Sequence, residues 1–288
     1  MQLTDAGDLE LAGLDRLDLP IASSPGRLRR AWAAAWPPLA ASALLLALWQ
    51  LVVWTGWRPD YVLPDPISVL GRLVEDMRSD ELTGAIGITL RRAAVGFGLA
   101  LVIGSVLGLA IVRVRLLRAA VASLITGLQT MPSIAWFPLA ILLFGLTEEA
   151  ILFVVVLGAA PSVANGLIHG VDHIPRTLLR AGTVLGARGV DAYRFVILPA
   201  AFPSFVGGMK QAWAFAWRSL MAGELLVIVA QLPSLGVRLQ LARELSDARG
   251  LLATMLVVLV IGALVDLLVF GTLERGVRRR WGLAESAA

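Results

Sequence analysis

Residues 93–112 read AAVGFGLALVIGSVLGLAIV, twenty consecutive positions without a charge, with Arg91 and Arg92 before them and Arg113 after. A bilayer core about 30 Å thick is crossed by about 20 helical residues, so this stretch predicts a transmembrane helix. Gly104 and Gly108 stand four apart within it. A small residue on every fourth position lets a second helix approach closely.

Working outward, five further apolar runs have the same character: 39–57, 118–146, 150–168, 204–229 and 250–273. The first is entered by Pro37-Pro38 and closed by Trp54, Thr55, Gly56 and Trp57, with aromatics suited to a membrane interface. The run 118–146 is interrupted by Thr130, Met131 and Pro132, which predicts a helix to about Gln129, a break, and a continuation through Leu146. The fold class is therefore all-α, a polytopic membrane protein with six spans. Composition agrees: 58% of the 288 residues are hydrophobic and 16% charged, against about 45–50% and about 25% in soluble domains. Such a chain cannot coat a water-soluble globule, which argues against soluble enzymes and nucleic-acid binders. With no Cys, disulfides, iron–sulfur clusters and thiolate zinc sites are excluded. The single lysine, Lys210, lies between Met209 and Gln211. A phosphate-binding P-loop needs Gly-Lys followed by Ser or Thr, so this chain hydrolyses no ATP through a Walker site of its own.

Orientation follows from the Lys and Arg near the span ends. With the N-terminus inside, 14 arginines fall on the cytoplasmic side and 8 outside, and the shortest outer turn holds Glu148 and Glu149 with no base. Six spans with both ends cytoplasmic fit. Residues 1–30 are acidic, and the apolar run after Arg30 is span-length, which favours a retained first helix over a cleaved signal peptide. Between the first two spans, Asp65-Pro66 reads as a helix start. Ile67, Leu70, Val74 and Met77 recur there at helical spacing opposite Arg72, Glu75 and Asp76, predicting an amphipathic helix over 65–78 at the outer membrane surface.

The long cytoplasmic connection 169–199 has its own helical patterning, as functional connections do. Ile174-Pro175 starts a helix with Leu178, Leu179 and Ala181, Gly186 interrupts it, and a second amphipathic piece holds Val190, Tyr193 and Val196-Ile197. Two short helices there make a rigid knob that could enter a partner's cleft. Arg180-Ala181-Gly182, three residues, Gly186, nine residues, then Val196-Ile197-Leu198-Pro199 resembles the EAA loop of permease subunits in bacterial ABC importers. That pattern is Glu-Ala-Ala, three residues, Gly, nine residues, Ile-x-Leu-Pro. Gly186, Leu198, Pro199 and Ala181 fall in place and Val196 stands for Ile, but Arg180 reverses the charge of the Glu and Gly182 replaces the second Ala. Val62-Leu63-Pro64-Asp65-Pro66, Thr130-Met131-Pro132, Trp136-Phe137-Pro138-Leu139 and Phe144-Gly145 resemble the nitrate/sulfonate/taurine branch. The likeness covers about residues 49–282.

The resemblance implies a cytoplasmic N-terminal tail over 1–37, a permease domain over 38–274 with its coupling loop at 169–199, and a cytoplasmic C-terminal tail over 275–288. It implies two permease copies, expected to be identical, in the bacterial inner membrane. Two ATPase subunits, which bind ATP and Mg²⁺, would dock on the loop, and an external solute-binding protein would deliver the substrate. This chain itself would hold no cofactor or metal. The expected cargo is a small oxyanion, aliphatic sulfonates first, with nitrate or taurine next.

Charged and polar groups inside spans are costly and point to function. Arg218, Glu224 and Asp266 are such groups, and Gln129 and Thr130 sit at the expected break. Arg218 has two readings: a bidentate donor to a passing oxyanion, or an ion-pair partner of Asp266 or Glu224. Arg91 and Arg92 read as interfacial charges. His169 and His173, four apart beside Asp172, have zinc-like spacing without an evident third ligand. A gradient-driven carrier is the alternative; it predicts inverted repeats and coupled intramembrane carboxylates, and the sequence shows no repeat.

Overall fold

The computed structural model describes residues 27–114, 124–125, 127–229 and 232–281. The chain divides into two units, Met1–Trp57 and Arg58–Ala288. The first contains one described helix, α1 (Arg27–Trp54), which runs straight through Pro37 and Pro38. The helix thus begins 12 residues before the expected span at 39–57. A proline forfeits one backbone bond and crowds the carbonyl four residues back, yet ten helical residues precede the pair.

The second unit begins with α2 (Pro66–Asp76), where the Asp65 carboxylate accepts the Ser68 backbone N–H at 3.0 Å and Pro66 occupies the first turn. That N–H, with the Ser68 hydroxyl, holds the Asp65 carboxyl below the usual range. Pro66 and Val69 are buried, and Leu73 packs with Leu82, Ala85, Leu235 and Val257. The stripe Ile67, Leu70, Val74 and Met77 faces away from the protein. Two residues of the polar side anchor the helix instead, through Arg72–Asp247 at 3.3 Å and Asp76–Arg238 at 3.0 Å.

Helix α3 (Asp80–Arg113) is capped by Ser79 and carries Asp80 and Glu81 in its first turn, where the helix dipole favours carboxylates. It starts 13 residues before the apolar run, so Thr89, Arg91 and Arg92 lie on a helix rather than at its mouth. Of the expected third span, 118–123 and 126 lie outside the described residues. What is described is helical over 127–130, broken at Met131-Pro132, and resumes as a 3-10 turn (Ser133–Trp136) and α4 (Phe137–Phe144). Helix α5 (Glu148–Asp172) follows. A nine-residue α6 (Arg176–Val184) leads to α7 (Val190–Leu226), the short α8 (Leu235–Glu244) and α9 (Ala248–Arg280). Five described helices are long and apolar enough to cross a membrane, and Ser133–Phe144 is a shorter apolar one.

Helix α5 is the centre of the packing. Gly104 and Gly108 of α3 face Ala160, Val163, Ala164 and Leu167 in a parallel pairing; a methyl on Gly104 would sit 2.5 Å from the Ala160 carbonyl oxygen. Along α7 the pairing is antiparallel, with Gly166 against Gly208 and Gly170 against Ala201. Helix α9 runs antiparallel to α7, with Gly262 on Trp217 and an aromatic cluster in which Phe97 stands edge-on to Trp213 and Phe270. Without a hydrophobic drive between helices in lipid, close contact of small residues supplies the attraction. These directions alternate as a chain threading back and forth requires.

The second piece of the expected loop is not a separate helix. Residues 190–197 are the first turns of α7, continuous with the span through a π turn at Tyr193–Ile197. That turn lies where the Pro199 ring would otherwise crowd the carbonyl of Phe195.

Candidate translocation cavity and coupling segment

At the break before Pro132 the backbone leaves helical form between apolar helices. Such a break is tolerated where protein or a water-lined cavity satisfies it, and here a cavity of about 270 Å³ opens. Its walls include Gln129, Thr130, Ser133 and Trp136 from the broken span, Leu157 and Gly158 from α5, and Phe215 and Arg218 from α7. The three polar residues singled out in the sequence, Gln129, Thr130 and Arg218, therefore meet at one place. The Gln129 side chain is fixed to α5: its amide donates to the Ser162 hydroxyl at 2.8 Å, and its carbonyl accepts from the Asn165 amide at 2.8 Å. The Thr130 hydroxyl donates to the Gly127 carbonyl at 2.8 Å.

Arg218 forms neither of the ion pairs considered for it. Asp266 pairs with Lys210 at 3.5 Å, and Glu224 pairs with Arg92. Arg218 is exposed; its Nε donates to the Ala214 carbonyl at 2.9 Å and its guanidinium lies 4.8 Å from the Phe215 ring centroid. Both contacts are with its own helix, so among the described residues its outer nitrogens face no carboxylate. Beside it, the buried Ser219 hydroxyl and Trp136 indole N–H have no hydrogen-bond partner among the described residues. A methyl on Gly158 would come within 2.8 Å of that Ser219 oxygen.

A second polar cluster, which reading the sequence missed, lies where α3, α5, α7 and α8 converge. Glu224 is fully buried and Arg92 is 2% exposed, which corrects the interfacial reading of Arg92. Arg92 Nη1 donates to Glu224 at 3.1 Å and its Nε to Glu148 at 3.1 Å, while Arg91 donates to Glu148 at 2.9 Å. Glu224 also accepts from the Thr89 hydroxyl at 2.9 Å and from the Gly236 backbone N–H at 3.1 Å. The Leu235 N–H donates to Thr89 at 3.0 Å. The available signal was the Ser79 cap with Asp80 and Glu81 after it, which starts the helix early enough to put Thr89 and Arg92 on one face.

The segment around Gly186 is built by local rules. Gly186 takes φ +89°; its N–H donates to the Thr183 carbonyl and that of Ala187 to the Gly182 carbonyl at 2.9 Å, the paired bonds of a Schellman ending for α6. Gly182 is the one buried residue of α6, and a methyl there would meet Val196 at 2.8 Å. The departure from Ala at 182 thus has a packing cause. Arg180 and Ala181 are exposed, as are Leu198 and Pro199, and the Pro199 carbonyl accepts the Trp281 indole N–H at 3.1 Å. His169 and His173 stack at 5.7 Å, and among the described residues no three His, Asp or Glu gather as a metal site.

The family model for the inner membrane component of binding-protein-dependent transport systems matches residues 100–279. The chain belongs to that permease family. Among its relatives, a putative aliphatic sulfonates transport permease of Bacillus subtilis is 29% identical over 85% of this chain and 87% of its own. The riboflavin transport system permease of Chloroflexus aurantiacus is 32% identical, covering 89% of this permease and 96% of the relative. Among solved structures, a methionine ABC transporter in its inward-facing conformation matches with a TM-score of 0.58 at 19% identity, over 68% of this permease and 96% of that chain. The all-α membrane-spanning fold expected from the sequence is therefore the fold of ABC transporter permeases.

Proposed function

We propose that this permease forms, with a second identical copy, the membrane pathway of an ATP-driven importer for a small oxyanion, an aliphatic sulfonate being the first candidate and taurine or nitrate the next. An external solute-binding protein hands over the substrate. Two separate ATPase subunits, holding ATP and Mg²⁺, dock on the cytoplasmic segment around Gly186, and both termini of the permease lie on that side of the inner membrane. The residues of that segment are Arg180, Ala181, Gly182, Gly186, Val196, Leu198 and Pro199. Closure of the ATPases swings the spans, because both sites bias one two-state element.

The observation that carries the substrate reading is Arg218. Its guanidinium stands at a cavity beside the Thr130 and Ser133 hydroxyls, with no carboxylate among the described residues to neutralise it. Such a fork matches the oxygens of a sulfonate. Gln129, held by two hydrogen bonds, keeps the broken backbone in place. A gradient-driven carrier finds less support. It needs a carboxylate free to cycle its proton, and the described acids within the spans are engaged: Glu224 by Arg92, Thr89 and Gly236, and Asp266 by Lys210.

The test is reconstitution with the co-purified ATPase and binding protein, measuring uptake of radiolabelled ethanesulfonate, nitrate and riboflavin. ATP-dependent sulfonate uptake supports the proposal. ATP-dependent uptake of riboflavin alone rejects the oxyanion, and gradient-driven uptake without ATPase rejects the importer.

A further inference from the structure

Helix α6 touches the rest of the protein through Gly182, packed on Val196. At about 100° per residue, Arg176, Arg180 and Val184 stand at about 120°, about 160° and about 200° around the helix from Gly182. Arg176, Arg180 and Val184, each four residues from the next, therefore form one stripe on the side of α6 turned away from the protein. Both arginines are exposed, and Val184 and Leu185 are each 87% exposed. Residues 175–190 contain Arg176, Arg180 and Arg188 and no carboxylate. None of the three forms a salt bridge with a described acid.

We infer that the ATPase cleft receiving this segment carries carboxylates opposite Arg176 and Arg180 and an apolar floor for Val184 and Leu185, so that its charge is reversed relative to a cleft suited to Glu at position 180. The inference rests on the ATPase docking proposed above. Guanidiniums one helical turn apart and left bare by the described acids are matched by carboxylates in a bidentate geometry. Two aliphatic side chains left in water at the tip need a dry surface. An ATPase whose cleft offers a cation at this point meets Arg180 as a like charge and is refused, so Arg180 selects the partner as well as binding it.

The chain has one lysine and no cysteine, which makes the test clean. In the full complex purified with its ATPase, Arg180→Lys and Arg176→Lys each add a single side-chain amine while keeping the charge. A zero-length carbodiimide joins such an amine to a touching carboxylate as an amide. The expected result is a cross-linked peptide joining position 180 to an Asp or Glu of the ATPase, absent from the parent complex. Arg180→Glu then weakens ATPase retention at least about tenfold, and Arg in place of the cross-linked acid restores it. A bound ATPase that gives no cross-link, or that holds Arg180→Glu as tightly as the parent, overturns the acidic cleft while leaving ATPase docking intact. Cross-links to phosphatidylserine in place of protein assign the arginines to lipid and overturn it also. If no ATPase co-purifies even with the parent chain, the docking itself fails, and the proposal with it.

Discussion

Arg92 and Arg218 both stand in membrane-length helices, and their surroundings are opposite. Arg92 is 2% exposed and divides its donors between Glu224 and Glu148, on two other helices. Arg218 leans on the carbonyl and ring of its own helix and leaves the rest of its fork to a cavity. A charge bound by remote partners fixes helices; one that its own fold leaves unpaired is available to something that passes. The same contrast separates the glycine-lined packing of α3, α5 and α7 from the broken span and the α6 segment.

The largest expected effect tests the fixed side. Glu224→Ala leaves the buried Arg92 with Glu148 alone, and breaking one half of a buried pair costs about 3–5 kcal/mol. Thermal unfolding of the detergent-purified chain should show a large fall in Tm, and the joint change Arg92→Met with Glu224→Leu should recover most of it. An unchanged Tm for Glu224→Ala would erase the distinction. Next, Gly186→Pro forces a residue locked near φ −65° into a position at +89°, a strain on the order of 1–3 kcal/mol confined to the end of α6. ATPase co-purification should be lost while membrane insertion is kept; retained coupling would show that the turn is not part of the docking surface. Arg218→Gln should cut uptake of the oxyanion about tenfold or more, as loss of a charged hydrogen bond of about 1.5–3 kcal/mol requires, with Tm unchanged. A fall in Tm with normal uptake would move Arg218 to the structural side. The smallest effect belongs to Arg91→Gln. That pair with Glu148 is exposed, is worth less than about 1 kcal/mol, and leaves Glu148 still bound to Arg92. A loss as large as that of Glu224→Ala would mean that the cluster acts as one unit.

The readings that came through from sequence were those set by neighbouring residues. Asp65-Pro66 announced the start of α2, Met131-Pro132 the break, Gly186 the turn after α6, and Gly104 with Gly108 a face for another helix. The readings that needed correction involved charge. Arg92 next to an apolar run looks like a membrane boundary because hydropathy registers composition alone, whereas it lies well inside a helix that begins at Asp80 under a Ser79 cap and is buried there. Likewise, three charged residues in two spans invited pairing among themselves, yet Glu224 found Arg92 and Asp266 found Lys210.

The sequence by itself determined an all-α membrane chain of the permease family, with its interruption and its glycine turn, because span length, proline and glycine act on the backbone within a few residues. Only the tertiary structure decided which charges are satisfied. Glu224 and Arg92 are 132 positions apart, and the free energy that permits a buried charge comes from partners that no local pattern records. By leaving Arg218 without such a partner among the described residues, the same packing marks it as the residue to test first in transport.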